Sequence, residues 1–230
     1  MRLIIDEKKI QRNKKLANAL TIISLTVLGS GLFFAFRPNL LLWSYIALVV
    51  GFVLTQFSMF FSSRYARSPR YDEIMSKALE TIRGDYSFYV HTTPAPYLLL
   101  GPNKFYLLHP VVTPATISYI NGKWKEKGRG IMMRVIGQEG LGNPEKEITH
   151  QIDALREHLN EKGLPISEQP AIEPLLVILL DKTKLGELEN PPLMFVDIKE
   201  LRRIIRRFDR EDPNPPMTEE KLERIKEILG

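Results

Sequence analysis

The sequence predicts an α/β domain built on a mixed sheet and carried behind a two-helix transmembrane hairpin. Three observations lead there. Residues 16–36 and 40–61 are apolar and free of charge, and only Arg37, Pro38 and Asn39 separate them. A series of short apolar segments of strand length follows, punctuated by turn sequences, and two helical stripes are set among those segments. Each long run, wound at ~1.5 Å per residue, covers the ~30 Å hydrocarbon layer of a bilayer, where backbone polar groups must be satisfied within the segment. The apolar core of a cleavable signal peptide is only ~7–15 residues long, which excludes that reading of the first run. Trp43 and Tyr45, near one end of the second run, suit an aromatic belt.

The cations set the expected orientation. Arg2, Lys8, Lys9, Arg12, Lys14 and Lys15 precede the first run against only Asp6 and Glu7, and Arg64, Arg67 and Arg70 follow the second. The turn between them holds Arg37 alone. By the positive-inside rule both ends of the hairpin face the cytoplasm, which gives a multi-pass protein of the cell (inner) membrane with both termini inside. The absence of cysteine agrees, since nothing requires an oxidising compartment. The formal charge of +5 lies in the arm and the hairpin, because residues 62–230 hold 25 basic and 25 acidic side chains. The excess therefore follows from topology and attraction to anionic headgroups, and lends no weight of its own to a nucleic-acid partner.

The expected organisation is a basic arm over residues 1–15, the hairpin over 16–61, a basic connector over 62–70, the α/β domain over 71–208, and a linker with a C-terminal amphipathic helix over 209–230. Within the domain, Ile74, Ala78 and Ile82 share one helical face over 71–83, closed by Gly84. Strands are expected at 86–90, 97–100, 105–108, 116–120 and 131–135. Gly101-Pro102-Asn103-Lys104 and Asn121-Gly122 between them have hairpin-turn chemistry. Asn143 is a candidate N-cap for a helix opened by Pro144 and running to 161, with Ile148, Ile152, Leu155 and Leu159 on one face. Apolar runs at 175–180 and 193–196 read as strands. Ile198, Leu201, Ile204, Ile205 and Phe208 form a last stripe before the linker, and Leu222, Ile225 and Leu229 line the terminal helix.

The stretch Tyr97-Leu98-Leu99-Leu100-Gly101-Pro102-Asn103-Lys104-Phe105-Tyr106-Leu107-Leu108, the turn Asn121-Gly122-Lys123-Trp124, and Asn143-Pro144 opening a helix with Gln151 and Leu155 resemble the NERD (nuclease-related) domain of the restriction-endonuclease-like superfamily. The similarity spans roughly residues 71–208. It implies a mixed sheet with a helix crossing between central strands, and a metal site made by an aspartate before one strand and a Glu-x-Lys at the end of the next. Those positions fall at Pro96, His109 and Val111, and residues 94–114 contain neither Asp nor Glu. The resemblance therefore implies a degenerate, non-catalytic member acting in binding or scaffolding. A rival reading takes a metal-dependent nuclease built from Asp85 and Glu139 with Lys104, and a second takes a transporter or channel subunit. The latter lacks intramembrane ionisable residues, having only groups such as Asn18, Thr21, Ser24, Gln56 and Ser58.

No cofactor or metal motif accompanies these features. His91, His109, His150 and His158 lack close ligand spacing, and Gly128, Gly130, Gly137, Gly140 and Gly142 lack the Gly-Lys-Ser/Thr ending of a phosphate loop. Two cationic clusters are candidate surfaces for nucleic acid or lipid: Lys123, Trp124 and Lys125, with Lys127 and Arg129 beyond, and Arg202, Arg203, Arg206 and Arg207, continued by Arg210. The bilayer is the expected partner, together with an unidentified protein. Gly29, Gly31 and Gly51 permit close approach of helices, so that oligomers are open to the spans.

Overall fold

The computed structural model describes residues 1–128 and 140–230, and the chain divides into two compact units. One is Glu7–Arg70; the other joins Met1–Asp6 to the described residues from Tyr71 onward.

The first unit is an antiparallel helix pair, α1 (Glu7–Ala35) and α2 (Leu41–Phe61), linked through a 3-10 turn at Pro38–Leu40 and followed by a π-helical turn at Ser62–Ala66. Its buried positions recur every seven residues: Ile10, Ala17, Ser24 and Gly31 in α1, and Ser44, Gly51 and Ser58 in α2. Small residues at this spacing bring two helix backbones close along one seam. A Cβ at Gly31 would press on Cβ of Ala47 at 3.1 Å, and one at Gly51 would collide with the Leu28 side chain at 2.7 Å. The polar groups are satisfied within the pair: Ser44 Oγ donates to Gly31 O at 2.8 Å, and the hydroxyls of Thr21 and Ser58 meet at 2.6 Å. Gly29, the other glycine of the expected close approach, opens away from the seam.

Large apolar side chains turn outward instead, among them Ile22, Leu25, Phe33, Trp43, Val49 and Phe52. A helix pair with small and polar groups inside and apolar groups outside reverses the pattern of a water-soluble hairpin. Both helices are long and apolar enough to cross a membrane.

The second unit contains β1 (Arg2–Ile5), α3 (Tyr71–Leu79), β2 (Ser87–Val90), β3 (Tyr97–Leu100), β4 (Phe105–Val111), β5 (Thr116–Ile120), β6 (Lys123–Lys127), α4 (Pro144–Glu161), β7 (Ile172–Ile178), β8 (Lys184–Leu188), β9 (Met194–Asp197), α5 (Leu201–Glu211) and α6 (Glu219–Leu229). Six strands form a mixed sheet in the order β1-β2-β3-β4-β7-β9. The meander β2-β3-β4 is antiparallel, turning through Gly101–Lys104, where Gly101 N donates to Lys104 O at 3.0 Å. The pairs β4-β7 and β7-β9 are parallel, and α4 lies in the connection between β4 and β7, as a parallel pair requires. β5, β6 and β8 form a separate three-stranded sheet.

Strands β2 and β3 are buried along their whole length, as expected of a sheet covered on both faces. On one face Leu98, Leu100, Phe105, Leu107 and Leu176 meet α4 through Ile148 and Leu155, α6 through Leu222 and Ile225, and the small sheet through Ile117. On the other, α3 and α5 pack together, and Tyr106 of β4 reaches the backbone and side chains of α5.

Several expected boundaries move. The first helix of the domain ends at Leu79, where Ile82 N turns back to Leu79 O and Gly84 adopts φ 121°. The basic arm is half strand and half helix, since Arg2–Ile5 pairs in parallel with Ser87–Val90 and α1 begins at Glu7. α5 continues to Glu211, shortening the linker, and α6 shares the core of the domain. Asn143 caps α4 as expected, its side chain accepting from Lys146 N at 3.1 Å. The strand expected at 131–135 lies outside the described residues.

Candidate functional site

The small sheet sorts its residues by the two-residue period of a strand. Asn121 and Gly122, at φ 54° and 69°, make the tight β5–β6 turn that fixes the register, a conformation glycine adopts without cost. Trp124 and Glu126 consequently point inward opposite Tyr119 and Ile117, while Lys123, Lys125 and Lys127 stand exposed opposite Ile120, Ser118 and Thr116. Strand β8 adds Lys184 beside Thr116, and Gly186 abuts Ser118 so closely that no side chain fits there. The outward face is therefore flat at its centre and ringed by four lysines. Among the described residues none of these lysines forms an ion pair.

Trp124 is not part of that face. Its indole N–H donates to Glu145 Oε1 at 2.8 Å in the first turn of α4, and its ring packs against Tyr119 (centroids 4.5 Å apart) and Phe195 (5.5 Å). Glu126 takes a hydrogen bond from Leu141 N. The inward residues of β6 thus fasten the small sheet to the body, and the expected grouping of Trp124 with its neighbouring lysines is separated by the pleat.

The arginines of α5 are occupied differently. Leu201, Ile204 and Ile205 are buried, which turns Arg202, Arg203, Arg206 and Arg207 outward. Arg202 donates to Thr81 Oγ1, Arg203 pairs with Glu200, and Arg207 pairs with Glu211 at 3.9 Å while lying over the Phe208 ring. Arg206 sits near enough to Tyr86 for its charge to favour the phenolate there.

Beneath α5 is a polar cluster that no sequence motif announces. Tyr86 and Tyr106 both donate to the Asp209 carboxylate, Tyr106 at 2.7 Å. Burial, reinforced by the neighbouring carboxylate, pushes both phenol pKa values above the ordinary 10. The Gly101–Lys104 turn docks on the same helix end. Lys104 Nζ lies 2.6 Å from Asp212 and 4.0 Å from Glu173, Asn103 donates to Asn214 O at 3.2 Å, and Met217 N donates to Pro102 O at 2.8 Å. Lys104, first, and the Asn214 backbone hold the Asp212 carboxyl below the usual range.

The positions to which the resemblance assigns a metal site hold other chemistry. Pro96 accepts a hydrogen bond from His91 N through its carbonyl, His109 Nε2 lies 3.9 Å from Glu147, and Val111 is buried. Of the rival trio, Lys104 engages Asp212, Asp85 pairs with Lys226 at 2.7 Å, and Glu139 is outside the described residues. Among the described residues no three His, Cys, Asp or Glu side chains come together as a metal site.

Lys184 joins this face from β8, a parallel neighbour of β5 distant in sequence, and such a pairing leaves no local signal. The alternation Lys123-Trp124-Lys125-Glu126-Lys127, by contrast, is a period-two pattern that marks a strand. A scan of protein-family models and searches of curated proteins and of solved structures found no match to this chain.

Proposed function

We propose that this chain is a membrane-anchored, non-catalytic binding or scaffold protein, whose hairpin crosses the cell membrane with both ends in the cytoplasm. The observation that carries this reading is the parallel pairing of β1 with β2. Chain entering α1 and chain leaving α2 join one folded unit, so both hairpin ends belong on one side of a bilayer. The cations flanking the hairpin choose the cytoplasmic side. The crossing of α4 between β4 and the parallel β7 supports kinship with the nuclease-related fold. Pro96, His109 and Val111 support a member without the family's metal-dependent chemistry, since neither proline nor valine supplies a metal ligand or a charge.

The test combines fractionation with an activity assay. The full chain is expected to stay with membranes through alkaline carbonate washing and, purified in detergent, to leave single- and double-stranded DNA intact with magnesium or manganese. Extraction by carbonate overturns the anchor. Metal-dependent cleavage that is lost on Asp85→Asn or Glu139→Gln overturns the non-catalytic assignment.

A further inference from the structure

We infer that the outward face of the β6-β5-β8 sheet docks on anionic phospholipid headgroups. This rests on the membrane-anchor reading and identifies the partner of one surface. Lys123, Lys125 and Lys127 alternate along β6, which spaces them ~6.6–6.8 Å apart on one side of the sheet, and Lys184 closes the far edge. Residues 62–230 are electrically balanced overall, whereas β5, β6 and β8 together carry these four lysines against Glu126, which points inward, and Glu187. Glu189, just beyond β8, lies at the turn end of the sheet, where its carboxylate accepts from Asn121 N.

The chemistry favours headgroups over nucleic acid. Single-strand binders stack bases on aromatic rings, whereas both aromatics of this sheet, Tyr119 and Trp124, face the core and pack on each other. Duplex readers insert a helix or ribbon into a groove, and this face is flat and, among the described residues, its three strands carry no Arg, Asn or Gln. Lysine is a hydrated point charge with no geometric demand, and juxtamembrane lysines attract anionic leaflets additively. A domain tethered by two spans holds such a face at high effective concentration of headgroups, so a modest intrinsic affinity suffices.

The test is lysine footprinting of the full chain in nanodiscs of neutral lipid and of lipid containing phosphatidylglycerol, with an amine-acetylating reagent read residue by residue by mass spectrometry. Lys123, Lys125, Lys127 and Lys184 are expected to be protected in anionic discs and not in neutral ones, with protection lost at high salt. Lys146 and Lys162 on and beside α4 should react equally in both. Lys125→Gln should weaken protection of the other three about fivefold, while Lys146→Gln should not. Equal reactivity of the four lysines in both disc types overturns the inference while leaving the anchor intact. Protection by an added oligonucleotide but not by anionic lipid overturns it in favour of nucleic acid. A chain that fails to enter discs of either kind overturns both readings.

Discussion

Arg2 stands in register with Ser87 on parallel neighbouring strands, although the whole helical hairpin separates them in sequence. Arg2 N donates to Tyr86 O at 2.8 Å, and Asp6 N donates to Val90 O at 3.1 Å, so the strand is tied at both ends immediately before α1 begins. A domain lacking the residues ahead of the hairpin would expose the edge of β2. Deleting residues 2–5 is therefore expected to lower the melting temperature of the detergent-solubilised chain and to increase its aggregation, since an uncovered strand edge is a template for pairing. Unchanged melting would mean that β1 contributes nothing to the sheet.

The helix seam offers a second test. A side chain at Gly51 collides with Leu28, so Gly51→Leu should force α1 and α2 apart at a cost of about 1–3 kcal/mol. The natural chain has no cysteine, and Thr21→Cys with Ser58→Cys places two thiols where hydroxyls now meet. Oxidation should cross-link that pair readily in the parent and poorly with Gly51→Leu.

The tyrosines bound to Asp209 make an alkaline prediction. Their pKa values are raised in the folded state, so the unfolded chain loses these protons first as pH climbs past about 10. Their contribution is complete below that pH and falls above it, by about 1.4 kcal/mol per pH unit for each tyrosine. Tyr86→Phe with Tyr106→Phe should flatten the alkaline limb of a melting-temperature profile relative to the parent. At neutral pH, Tyr106→Phe alone should cost about 1–3 kcal/mol, since it leaves a carboxylate oxygen short of a donor.

Lys104 and Asp212 make the opposite prediction in acid. Asp212 is depressed, so its contribution is present above the ordinary carboxyl range and is lost as pH falls through it. Lys104→Met should raise the Asp212 pKa and destabilise the chain already near neutrality, and Asp212→Asn should remove that part of the acid dependence. Melting scans between pH 3 and 7 separate the two.

What the sequence discloses and what it hides divide along physical lines. Local signals are faithful: Asn143 caps α4, Asn121 and Gly122 turn β5 into β6, Gly101–Lys104 turns β3 into β4, and two charge-free runs become two long helices. Non-local pairings leave little trace. β1 reads as the start of a basic arm, because its partner β2 lies beyond the hairpin. β8, Lys184-Leu185-Gly186-Glu187-Leu188, has too little apolar content to mark a strand, and it forms as one by pairing with β5. The candidate surface was half legible. The lysines of β6 are plain in sequence, but the pleat that separates them from Trp124, and the pairing that consumes Arg202, Arg203 and Arg207, belong to the fold. The seam Ala17, Ser24, Gly31 against Ser44, Gly51, Ser58 was readable as a seven-residue repeat of small residues, which a search for Gly-x-x-x-Gly passes over.

The central claim is that both ends of the hairpin lie on the cytoplasmic side, and single cysteines in this cysteine-free chain test it directly. Leu3→Cys, Asn39→Cys and Lys125→Cys would each be treated, in intact spheroplasts and after lysis, with a membrane-impermeant maleimide. Labelling of Asn39→Cys in intact cells, with Leu3→Cys and Lys125→Cys labelled only after lysis, is the predicted result. Labelling of Leu3→Cys and Lys125→Cys on opposite sides, or of both before lysis, would contradict it.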